Sequence, residues 1–182
     1  GNATRPIVKI TYLGYKALRG FDKKRVLRPM PTGSIVDTGH YVDHELVQEL
    51  EADTALRVDR VQSGKAKRYL LTVGGAGAQQ ALFADIIKAL LPDIRAKKAV
   101  LFINVGDHKN VWDSLKSAVP ELALAKVFLN EYDKARAYAE AARTGDAEGI
   151  VGFCHEDIFA AVYITNLLMR ASDVLVTKPS EL

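Results

Sequence analysis

The stretch Tyr69-Leu-Leu-Thr-Val-Gly-Gly-Ala-Gly-Ala-Gln-Gln80 decides how the rest of the chain is read. Tyr69 to Val73 favour a buried strand, and a short apolar run that ends in glycines fits a parallel sheet covered on both faces. Gly74, Gly75 and Gly77 carry no Cβ, so the main chain can turn sharply there and a ligand can come close to it. From Ala76 to Leu91 the residues Ala78, Leu82, Ile86, Ala89 and Leu90 recur at three- and four-residue steps, which predicts one buried helix face. A helix beginning at such a turn offers free N–H groups and the positive end of its dipole, a setting suited to phosphate. No Gly-Lys-Ser/Thr follows, so this is not a P-loop, and Gln80 stands where the dinucleotide fingerprint has its third glycine. Close packing of strand on helix is the other use these glycines could have.

Outward from this stretch, the 182 residues favour one domain with room for a small second piece. A chain of this length buries roughly 70% of its unfolded surface and needs no staple. With 48% hydrophobic and 26% charged residues it has the composition of an ordinary globular protein. The single Cys154 excludes an internal disulfide framework, and no apolar run approaches membrane-spanning length. A cytoplasmic protein is expected. The net charge of +3 is unevenly spread, because residues 1–30 hold eight Lys and Arg and one acid, Asp22. Those bases alternate with strand-like residues, which reads as a solvated face, and no aromatic platform accompanies them, so no nucleic-acid partner is expected.

Strands are predicted at Ile7–Leu13 and Val26–Met30, a short helix at Asp43–Glu51, and a polar linker or exposed loop over 52–68. From Tyr69 strands and helices alternate: strands at 69–73, 99–104, 125–129, 149–153 and 173–177, helices at 76–91, 109–118, 131–143 and 156–171. That rhythm predicts an α/β fold, a Rossmann-like parallel sheet with helices on both faces, after a short irregular β-containing segment. Ligands of such sheets lie beyond the carboxyl ends of the strands, here Gly74–Gln79, Asn104–Lys109, Cys154–Ile158 and Lys178–Glu181. An α/β domain rarely stops just after a strand, so a truncated carboxyl end is expected.

Four stretches resemble, in order, the carboxyl-terminal half of GT-B glycosyltransferases, in particular the monogalactosyldiacylglycerol synthases and the lipid II-forming N-acetylglucosaminyltransferase. Thr38-Gly-His-Tyr-Val42 is similar to the hinge between the two halves, and Leu71 to Gln79 to the first strand and glycine loop of the donor domain. Phe102-Ile-Asn-Val-Gly-Asp-His108 is similar to the second strand, and Ala171-Ser-Asp-Val-Leu-Val-Thr-Lys-Pro-Ser180 to the family's SD-hydrophobic-TK run. The resemblance covers about residues 34–182. It implies that residues 1–65 are the tail of an acceptor domain plus hinge or linker, and that 66–182 are a nucleotide-sugar-binding domain. It further implies inverting transfer of a hexosyl group from a UDP-linked sugar to an unknown acceptor. It implies no metal or other cofactor, and peripheral membrane association of the full-length protein. The chain by itself is expected to be inactive, because the acceptor half and the segment that holds the donor sugar are not in it. Ser180-Glu181 departs from the glycines usual at that point.

The binding residues implied are Gly74, Gly75, Ala76, Gly77, Ala78 and Gln79 for the diphosphate, with Gly106 and His108 at the next strand end and Lys178, Pro179 and Ser180 at the last. His155 and Ile158 lie near the nucleotide base if Gly152-Phe153 is the family's strand end. The competing alignment puts Tyr163-Ile-Thr-Asn166 there instead. Lys178 is read either as a phosphate partner or as a solvated lysine, and Asp107 is expected to cap the helix after it. His40 and His44 lack a third ligand and read as no metal site. Cys154 and His155 are adjacent on extended chain and point apart, so Cys154 is expected to be structural. Val162, Ile164, Leu167, Leu168 and Met169 are expected in the helix core. A non-enzymatic nucleotide-binding or regulatory module on the same scaffold is the alternative function. A sugar-nucleotide 2-epimerase is a third reading, for which no catalytic carboxylates can be placed.

Overall fold

In a computed structural model the chain is described at residues 15–19, 25–29, 42–73 and 80–177. The expectations for Gly74–Gln79, Lys178–Ser180, His40 and the strand at Ile7–Leu13 lie outside the described residues. Two compact units are present, 1–41 and 42–182. In the first, β1 (Tyr15–Arg19) pairs antiparallel with β2 (Arg25–Pro29). Their register sets Lys16 opposite Arg28 and Arg19 opposite Arg25.

The second unit opens with two helices, α1 (His44–Val47) and α2 (Leu50–Gln62). Then follow β3 (Lys67–Thr72), α3 (Gln80–Arg95), β4 (Ala99–Asn104), α4 (Lys109–Ala118), a 3-10 turn at Pro120–Leu124 and β5 (Lys126–Leu129). The chain continues through α5 (Tyr132–Thr144), β6 (Ile150–Cys154), α6 (Ile158–Ala171) and β7 (Val174–Thr177). The five strands β3 to β7 form one sheet in the order β5-β6-β4-β3-β7, every pairing parallel. The expected α/β parallel sheet is therefore present. β3 is interior, with β4 on one side and β7 on the other, and β4 is the middle strand.

Alternation along the strands feeds two cores. Leu71, Leu101, Ile103 and Val105 meet Phe83, Ile87, Val111 and Trp112 of α3 and α4 on one face. Leu70, Phe102, Phe128, Val151 and Phe153 meet Ala135, Ala139, Ile164, Leu167 and Leu168 of α5 and α6 on the other. All six residues of β4 are buried, as a strand covered on both faces requires.

Several expectations change. Residues 50–62 are a helix, not a linker. The buried residues of α2 are Asp53 and Arg60, so the face that packs is charged and leaves no apolar stripe in the sequence. In α3 the buried face is Phe83, Ala84, Ile87 and Leu91, one position on from the predicted set, and Leu82 is 51% exposed. Both sets satisfy helical spacing, and the contact with the sheet selects the one carrying the larger Phe83. The helix also runs through Pro92 to Arg95. Val162 is 49% exposed, whereas Ile164, Leu167 and Leu168 are core.

Buried charge fastens α2 to the sheet's helices. The Asp53 carboxylate accepts from Arg170 Nε at 2.6 Å and from Arg143 Nη1 at 2.7 Å, with Glu49 against both arginines. Burial alone would raise the Asp53 pKa, but the hydrogen bonds from Arg170 and Arg143 outweigh it and hold the carboxyl below its usual range. Removing one partner of such a set leaves an uncompensated buried charge. Asp53→Ala is therefore expected to lower unfolding free energy by about 3–5 kcal/mol in urea titrations. Gly152 presents a different constraint, since a Cβ there would stand 2.5 Å from the Trp112 ring. Gly152→Val is expected to cost about 1–3 kcal/mol or more by overpacking.

Candidate functional site

The carboxyl edge of the sheet is built around Asn104. Its side-chain oxygen accepts the Gly106 N–H at 2.9 Å, and its amide donates to Thr165 Oγ1 at 2.7 Å and to the Ala161 carbonyl at 3.3 Å. Its own carbonyl accepts the Val73 N–H at the end of β3, at 3.0 Å. One buried amide thus fixes the turn after β4 against α6. Gly106 has φ of 60° and nothing within 4 Å of a Cβ built on it. That left-handed turn favours glycine, and the space beside it leaves the main chain open to approach. The Gly106 carbonyl accepts the His155 N–H at 2.9 Å, which ties this turn to the end of β6.

His108 is the residue at the head of α4, and no side chain caps that helix. The expected cap by Asp107 is not formed; its carboxylate lies 3.5 Å from His108 Nε2 instead. Lys109 turns along the helix to Asp113 at 2.8 Å.

At the end of β6, Cys154 is 4% exposed and belongs to the Trp112 core, and burial pushes its thiol up, as an unreactive structural cysteine requires. His155 is 2% exposed, and among the described residues neither ring nitrogen has a hydrogen-bond partner. Burial holds its pKa below the ordinary value, so the ring is neutral at pH 7. Asp157 caps α6, its Oδ1 accepting from Phe159 N at 2.8 Å and Ala160 N at 3.4 Å. Ile158 is 59% exposed beside it. Tyr163–Asn166 lies within α6, where Ile164 is buried and Asn166 donates to Asp43 at 2.7 Å, so it is not a strand end. The loop between β6 and α6 is 155–157, flanked by Cys154 and Ile158.

Gly106, His108, His155 and Ile158 thus all stand at the carboxyl edge. Sequence reading missed a cavity of about 530 Å³ at that edge, lined by Asn130, Tyr132, His155, Asp157, Phe159 and Tyr163. Tyr132 and Tyr163 are far apart in sequence, and the packing of α5 on α6 brings them together. At the opposite edge a depression of about 420 Å³ is lined by Lys65, Arg68, Arg95 and Lys97 among others. Its cations have partners there: Lys65 with Asp146 at 3.3 Å, Lys97 with Glu148 at 3.4 Å and Arg95 with Glu121 at 2.7 Å. Among the described residues no group of three or more His, Cys, Asp or Glu could hold a metal ion. Nor is any helix among them long and apolar enough to cross a membrane.

A family model described as a domain of unknown function, DUF6938, matches residues 30–182. No curated protein matches the chain, and no solved structure does.

A neutral His155 held in a buried site makes stability depend on pH. Its pKa in the fold lies below the unfolded value of about 6.5, so its contribution is complete above pH 6.5 and is lost as pH falls through the folded pKa. Chemical denaturation from pH 7.5 downward is expected to show stability declining from about pH 6.5, before the carboxylates titrate. His155→Gln, which cannot titrate, is expected to remove that part of the decline.

Proposed function

The chain belongs to the DUF6938 family, and from its geometry we propose that it binds a UDP-linked sugar at the carboxyl edge of the sheet, as the donor-binding part of an inverting glycosyltransferase. The observation that carries this reading is the reversal of strand order at β3. With β5 and α5 set aside, the remaining strands run β6-β4-β3-β7, the 3-2-1-4 portion of a doubly wound nucleotide-binding sheet. Such sheets bind ligands where the order reverses, and Gly74 to Gln79 follow β3 in the sequence.

In this reading Gly74, Gly75, Ala76, Gly77, Ala78 and Gln79 supply main-chain donors to the diphosphate, aided by the dipole of the 16-residue α3. Gly106 lets the main chain approach, His108 offers a ring N–H, and Lys178 offsets negative charge, with Pro179 and Ser180 beside the latter. His155 and Ile158 stand near the base. An acceptor hydroxyl attacks the anomeric carbon from the face opposite the leaving group, and the diphosphate departs with the charge that these donors stabilise. The base that takes the hydroxyl proton lies outside these residues. A cytoplasmic location and membrane association of the whole protein belong to the same proposal.

The test is an amide-shift titration of the labelled chain with uridine diphosphate. Shifts are expected first at Gly75, Ala76, Gly77 and Ala78, together with Gly106 and His108. Gly77→Val is expected to weaken binding about tenfold or more, the loss of one or two charge-assisted hydrogen bonds, with an unchanged thermal melt. Shifts confined to residues 5–28, or to the depression around Lys65 and Lys97, would end this reading.

A further inference from the structure

The cavity at the start of α5 and α6 is walled by aromatic rings, with the buried His155 in its lining. Tyr132 and Tyr163 face each other with centroids 6.2 Å apart and planes tilted by 52°. Phe159 stands 83% exposed at the same rim, a large apolar surface with no partner in the fold. His155 contributes to the lining, and its two ring nitrogens are buried with no hydrogen-bond partner among the described residues.

Charge narrows the class of ligand. The cavity lies at the first turns of two helices, whose positive dipole ends disfavour a cation. An anion meets the Asp157 carboxylate, which already occupies the Phe159 and Ala160 amides. A neutral ligand remains. A flat heteroaromatic ring would need parallel walls to be sandwiched, and a 52° tilt between the tyrosines does not provide them. A chair-shaped pyranose has C–H groups on one face, suited to one aromatic ring, and hydroxyls around its rim. Each hydroxyl donates and accepts. That matches the second carboxylate oxygen of Asp157 and the Tyr132 hydroxyl at the cavity wall. It also matches the Asn130 amide donors, whose oxygen already accepts the Glu156 N–H at 2.8 Å.

We infer that the cavity between Tyr132, Phe159 and Tyr163 is a binding site for an uncharged pyranose, free or at the end of a glycan. It goes beyond the nucleotide reading and does not depend on it. Asn130 and Tyr132 come from the β5–α5 segment, which adds an edge strand outside the contiguous β6-β4-β3-β7 order, so the site is an addition to the sheet's own ligand edge. The Tyr132 hydroxyl, protonated at neutral pH like any phenol, is able to donate.

The experiment is a titration of the labelled full chain with methyl β-glucopyranoside, methyl β-galactopyranoside and methyl N-acetyl-β-glucosaminide, with and without saturating uridine diphosphate. Amide shifts are expected at Asn130, Tyr132, Phe159 and Ala160 for at least one sugar and in both conditions. A trisaccharide ending in the preferred sugar separates the sources, binding more tightly if the ligand is a glycan end and equally if it is the free sugar. Phe159→Ala removes an exposed ring and is expected to leave the thermal melt and the diphosphate response unchanged while weakening the sugar roughly threefold or more. Tyr163→Leu, which keeps an apolar filler, should do the same. Absence of shifts in this cluster with every sugar, unchanged affinity in both variants, or uridine shifting these residues when the sugars do not would overturn the inference. Failure at Gly106 and Gly77 alone would bear on the diphosphate reading and not on this one.

Discussion

One buried guanidinium, that of Arg68 at the start of β3, gathers the amino edge of the sheet. It donates to the carbonyls of Ala142, Ala171 and Gly145, so the carboxyl ends of α5 and α6 share one cation. The backbone N–H of the same residue donates to Asp173 at 2.8 Å, and the other oxygen of Asp173 takes Arg60 of α2 at 2.7 Å. Arg57 adds bonds to the Ser172 and Met169 carbonyls, at 2.9 and 3.0 Å. Two strands and three helices meet at this junction. Charges here are spent on orphaned helix carbonyls and on each other, which leaves the opposite edge as the place where main-chain groups are open.

That division explains what the sequence could and could not tell. The inner strands β3, β4 and β6 were legible because they are largely buried and read as apolar runs, as Ala99–Asn104 does. β3 begins two residues earlier than its apolar run because Lys67 and Arg68 are polar, and Arg68 is buried for its hydrogen bonds. α2 was invisible for the same reason: Asp53 and Arg60 do its packing, and hydrophobic periodicity is silent about a face held by ion pairs. The one-residue rotation of α3 shows the limit of spacing alone, since Leu82 and Phe83 begin equally regular series. Strand order, and with it the insertion of β6 between β4 and β5, depends on nonlocal packing that no local pattern encodes.

At the candidate site, glycines and strand ends were legible because turns need them; Gly106 is left-handed with open space beside it. The role of Asn104 was not, because a buried amide that binds a turn to a helix two elements away has no signature in spacing. The aromatic cavity was hidden for a related reason. Tyr132, Phe159 and Tyr163 each look like ordinary helix residues until α5 lies against α6. The reversal of strand order at β3 is the feature that supports the proposed ligand edge.

The central claim is that ligands enter from the carboxyl edge of the sheet, with the diphosphate at the β3–β4 end. A crystal structure of the chain grown with saturating uridine diphosphate tests it most directly. Diphosphate density beyond the ends of β3 and β4, within contact of the Gly106 main chain, is the expected result. Density in the basic depression lined by Lys65, Arg68 and Lys97, with the carboxyl edge empty, would contradict the account.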